Sequence, residues 1–141
     1  MTILTSIIPW DHIHPVVVHF TTALLPVSLA SDVFGKYTKY DSLTSAAWWM
    51  LLYGAIATPL TALAGWLWAA DIAGIAGPNP TLTIHRWLGV SLIAGFAFLA
   101  IWRSRSFIRT SKPGLVYLAS AAIVTAALLF QGYLGGKMTL G

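Results

Sequence analysis

No cysteine occurs among the 141 residues. Disulfides, thiolate zinc sites, iron–sulfur clusters and the C-x-x-C-H attachment of c-type haem are therefore excluded. Any metal centre must use histidine, carboxylate or methionine. Charge is also scarce. Only 9% of the residues are charged, against about a quarter in an ordinary soluble domain. No glycine-rich phosphate loop, nucleophile elbow or zinc-protease motif is found, so nothing points to a stand-alone enzyme. The net charge of +4 and the pI near 9.7 come from basic residues in short runs between apolar segments. That pattern does not form a nucleic-acid patch and reads as a set of topology signals.

Apolar sequence fills the rest. Hydrophobic residues make up 57% of the chain, and the mean hydropathy is +0.77. Water is the wrong solvent for such a chain, and the expected fold is a single all-α domain over residues 1–141, an integral membrane four-helix bundle in a lipid bilayer. Spans are expected at about 14–34, 43–70, 84–102 and 115–134, since roughly 20 residues cross the hydrocarbon core. Pro15 suits the first turn of span one, Pro59 a kink in span two, Pro113-Gly114 the start of span four and Gly135-Gly136 its close. Short connections favour an up-down-up-down order. Ser28-Leu29-Ala30 resembles a signal-peptidase site, but residues 1–12 carry no Lys or Arg, so the first segment is read as a retained span.

Lys36 and Lys39 follow span one, and Arg103, Arg105, Arg109 and Lys112 follow span three, whereas the other side has only Arg86 and Lys137. The positive-inside rule then makes both termini extracytoplasmic. Trp48, Trp49 and Trp102 fall near the cytoplasmic ends of the spans, and Trp10, Trp66, Trp68 and Trp87 near the outer ends, as interfacial indoles should.

All four histidines gather at the outer end of this layout. His19 in span one and His85 in span three lie at similar depth on parallel spans. Ala23 and Gly89, one turn below them, leave room for something flat. The pair fits the axial ligands of haem b, with Arg86 and Lys137 near the propionates. Two other readings stand beside it. The same histidines can simply hydrogen-bond to Thr22, Asp71 or a carbonyl and tie the spans together. Alternatively His12, His14 and Asp11, with His85, can form a divalent metal site open to the outside, although a solvated turn with His14 near the helix N-cap accounts for the same residues. Asp32 is expected to reach the inner interface or pair with Lys36 one turn later. Gln131 is expected to hydrogen-bond across the bundle. Small residues at Gly54, Thr58, Thr61 and Gly65, and at Ala119, Ala122 and Ala126, mark close helix contacts, either within the bundle or with another subunit.

The segment His14-Pro15-Val16-Val17-Val18-His19-Phe20, His85 at the opening of span three, and Gly132-Tyr133-Leu134-Gly135-Gly136 together resemble the bacterial membrane-protein family of domain of unknown function 2231. The H-P-x-x-V-H-F block is the most specific part. The family pattern carries Pro after the H-F pair, where this chain has Thr21, with Pro26 later. The resemblance implies a four-helix membrane domain and an association with redox modules such as Rieske proteins. The expected function is an electron-transfer or accessory subunit binding haem b through His19 and His85, with a membrane redox subunit, Rieske protein or cytochrome as partner. The alternative is a non-catalytic structural subunit of a larger complex.

Overall fold

A computed structural model describes residues 9–71, 79–109 and 112–140. Four helices account for nearly all of them: α1 (Trp10–Tyr37), α2 (Asp41–Asp71), α3 (Pro80–Arg109) and α4 (Leu115–Leu140). Each is long and apolar enough to cross a membrane. Large apolar side chains such as Val16, Ile56, Phe98 and Ile123 point outward, as lipid-facing residues must.

Helix ends differ from the sequence expectation for local reasons. α1 begins before His14, because Pro9 already accepts the N–H groups of His12 and Ile13 at 3.0 and 3.1 Å. Pro15 is therefore inside the helix rather than in its first turn. α3 begins at Pro80 because the Asn79 side chain caps it, its Oδ1 accepting from the N–H groups of Thr81 and Leu82 at 2.9 and 3.3 Å. α4 continues through Gly135-Gly136 to Leu140 rather than closing there.

Consecutive helices run antiparallel, which the cross-contacts fix end to end. Ser28 Oγ donates to Ala47 O, and Thr21 and Thr61 hydroxyls meet at 2.9 Å, joining α1 to α2. Trp48 Nε1 donates to Ser104 Oγ at 2.9 Å between α2 and α3. Trp102 meets Tyr117, and His85 meets Gln131, between α3 and α4. α4 also contacts α1, closing the bundle. Leu25, Leu51, Leu92, Phe96, Leu99, Leu118 and Leu128 fill the centre.

At Gly54 α1 and α2 pack closely in this core. A Cβ there would stand 2.6 Å from Leu25 Cδ2 and 2.8 Å from its Cγ. Leu25 is 2% exposed and cannot move aside freely. Gly54→Ala is therefore expected to lower stability by about 1–3 kcal/mol through overpacking. Thermal unfolding in detergent checks this, and an unchanged midpoint would show that Leu25 has room to relax.

A buried polar contact holds the end of the bundle that carries the α1–α2 turn. Arg103 Nε donates to both carboxylate oxygens of Asp32 at 3.2 and 3.0 Å, and Nη2 donates to Oδ1 at 2.8 Å. Both residues are 0% exposed. Arg103 Nη2 also reaches Thr44 O on α2, and its guanidinium lies 5.9 Å from the Tyr117 ring on α4. One ion pair thus ties all four helices. The expected Asp32–Lys36 pair is not formed: Lys36 Nζ instead donates to Pro113 O at 2.8 Å. A carboxylate facing the bundle centre needs a partner at the same depth, and Arg103 meets it there whereas Lys36 extends toward the turn.

Candidate functional site

At the opposite end His14 projects from α1 toward α2. Its Nδ1 lies 3.1 Å from Thr61 O. A carbonyl can only accept, so Nδ1 carries a proton, and in the neutral ring the lone pair is then at Nε2. The ring rests on Gly65, where a Cβ would come within 2.7 Å of Cε1, and it tilts against Trp68 at 5.7 Å between centroids. Only glycine at 65 lets the imidazole approach the α2 backbone this closely.

His85 repeats this arrangement between α3 and α4. Its Nδ1 donates to Gln131 O at 3.1 Å, and a Cβ at Gly135 would stand 3.2 Å from its Cε1. Gln131 Nε2 in turn donates to His85 Nε2 at 3.3 Å, consistent with the same tautomer.

The two remaining histidines are placed differently. His19 is exposed on the outer face of α1, and its Nδ1 donates to Pro15 O in its own helix at 2.6 Å. Thr22 Oγ1 donates to Val18 O rather than to a histidine. His12 lies at the exposed start of α1, with Nδ1 2.9 Å from Asp11. The structure thus turns His14 and His85, at the same end of the bundle, each toward a neighbouring helix, and leaves His19 and His12 exposed. Among the described residues no group of three or more His, Asp or Glu side chains is placed to hold a metal ion, so His12, His14 and Asp11 do not form one set. The side chain of Asp71 lies outside the described residues.

Gly89, expected to leave room beneath His85, faces the Gln131 amide: a Cβ there would be 3.2 Å from Nε2. The space is used to bring α4 against α3. Ala23, the small residue below His19, is exposed with it on the outer face. Arg86 sits at the same end with its guanidinium 5.3 Å from the Trp66 ring, a cation–π contact, and its Nε is buried without a hydrogen bond among the described residues. Lys137 is exposed.

Sequence reading assigned the inner role to His19 and left His14 at the rim. A distinguishing signal was present. His14 lies seven residues before the buried Thr21, just as His85 lies seven before the buried Leu92, which puts each imidazole on its helix's inward stripe.

A family described as a predicted membrane protein, DUF2231, matches residues 11–141. No curated protein and no solved structure matches. The chain belongs to the DUF2231 family of membrane proteins.

Proposed function

We propose that the chain is an electron-transfer or accessory subunit that binds one haem b near the outer face of the bacterial inner membrane, with both termini outside. His85 would hold the haem iron through Nε2, and His14 would be the second histidine to do so, where the sequence alone suggested His19. The observation that carries this reading is the matched pair of imidazoles, each held through Nδ1 by a carbonyl of the neighbouring helix. Such anchoring fixes the tautomer and raises the basicity of Nε2, as it does for metal-bound histidines generally. Two histidines suffice for haem because the porphyrin supplies the other four nitrogens, whereas structural zinc takes four protein ligands. Binding requires the Gln131 amide to release His85 Nε2. Arg86 and Lys137 at the same end can offset propionate charge. A Rieske protein, a cytochrome or another membrane redox subunit would exchange the electron.

The second reading, a structural subunit, is favoured by Gln131, which engages both nitrogens of His85. An optical spectrum of the purified, dithionite-reduced protein separates the two. The haem reading expects a b-type α band with close to one haem per chain. A correctly folded, colourless preparation that also fails to bind added haem rejects it.

A further inference from the structure

The two ends of the bundle share one numerical relation. Asp32 and Arg103, which pair with each other, are 71 positions apart, and His14 and His85 stand the same distance apart in the sequence. On the partner helices, the carbonyls that receive the imidazoles belong to Thr61 and Gln131, and the glycines under the rings are Gly65 and Gly135. Both of these pairs are separated by 70 positions.

The core follows the same shift. The buried non-glycine side chains of α1 are Thr21, Leu25, Ser28 and Asp32, and those of α3 are Leu92, Phe96, Leu99 and Arg103. Adding 71 to each of the first set gives the second. A stripe of this period is generic for a helix packed on one side. Its phase relative to the histidine, and the identical carbonyl-and-glycine receptor on the next helix, are not generic. On α2 and α4 the match is partial: the buried Ala47, Leu51 and Thr58 correspond at 70 positions to the buried Tyr117, Ala121 and Leu128, whereas Thr44, Ala57 and Leu118 have no buried counterpart.

We infer that the chain is two copies of one helical hairpin, α1–α2 and α3–α4, paired about a pseudo-twofold axis, and that Asp32 and Arg103 are the code that makes unlike halves pair. The partner each hairpin face fits is therefore the other hairpin of this chain. Two first hairpins brought together would bury two aspartates against each other, and two second hairpins would bury two arginines. Like charges at such depth are strongly disfavoured, so the mixed pairing prevails. Opposite residues at equivalent positions thus select intramolecular closure over assembly with a second copy's like half, much as buried polar positions set partner choice in coiled coils.

The test uses full-length chains with two different affinity tags. Asp32→Arg gives a chain with arginine at both positions, and Arg103→Asp one with aspartate at both. Each alone is expected to lose roughly 10 °C or more in thermal midpoint, because its own halves now repel. Coexpressed, the two are expected to recover as a one-to-one mixed complex, in which each hairpin of one chain pairs with the complementary hairpin of the other. The double variant D32R/R103D is expected to return to a monomer with most of the lost midpoint restored. The shortfall should be small and trace to Tyr117, whose equivalent position on α2 is Ala47. Recovery of each tag without the other from coexpressing membranes, or a double variant as unstable as the single ones, overturns the inference.

Discussion

Arg103→Ala is expected to destabilise the bundle by about 3–5 kcal/mol, the cost of leaving one member of a buried ion pair without its partner. Asp32 has no route to water, being 0% exposed, and its nearest other cationic neighbour on α1, Lys36, is engaged with Pro113 O. The loss is a large share of the roughly 5–15 kcal/mol that holds a typical domain folded. Thermal unfolding followed by tryptophan fluorescence is a direct measure, with seven indoles as reporters. Arg103→Lys should fall between the native protein and the alanine variant, because an ammonium keeps the charge and gives up the two-pronged contact with both carboxylate oxygens. Replacing both residues by leucine should cost less than Arg103→Ala alone, since an apolar pair leaves no buried charge behind. A midpoint within 1–2 °C of native for Arg103→Ala would show that the pair contributes little and that the helices are held by packing alone.

The fold was legible because a membrane bundle is written in long apolar runs. Four spans follow from hydropathy; the starts of α1 and α3 shift by about a turn where caps act, at Pro9 and Asn79, and α3 and α4 run on past their expected ends to Arg109 and Leu140. Which face of each helix points inward was harder to read. In a soluble helix the polar side marks solvent, but here the outward face is as apolar as the core, so Val16 beside Pro15 looks no different from a core residue. Polar residues then become the best guide to the inside, and three of the four buried side chains of α1, namely Thr21, Ser28 and Asp32, are polar. Extending that stripe outward by one heptad reaches His14 rather than His19. Arg103 was misread for a related reason. Basic residues at the end of a span report orientation, and the exposed Arg105 and Lys112 fit that role, whereas Arg103 is buried on the same inward stripe of α3 as Phe96 and Leu99. Local counting of charges cannot separate the two. A comparison of the two halves of the chain can, since it sets Arg103 opposite Asp32.

Substitution of the histidines one at a time should divide them sharply. If haem b is bound as proposed, His14→Ala and His85→Ala are each expected to abolish the bis-imidazole spectrum, because an iron that loses one strong-field ligand becomes five-coordinate and its reduced α band collapses. His19→Ala should leave the band in place, since the exposed imidazole is bonded to Pro15 O and faces away from the bundle. Gly65→Ala provides a control that removes no ligand. Its Cβ would intrude to 2.7 Å from His14 Cε1, so the ring must leave Thr61 O, and the spectrum should shift or broaden while His85 is untouched. Each variant needs a folding check by thermal midpoint, because losing the Thr61 or Gln131 contact removes an interhelical hydrogen bond worth on the order of 1 kcal/mol whether or not haem is present. A band that survives His14→Ala and disappears in His19→Ala would transfer the second ligand to the outer face of α1. Haem would then lie against the exposed surface of the bundle, and a partner subunit would have to cover it.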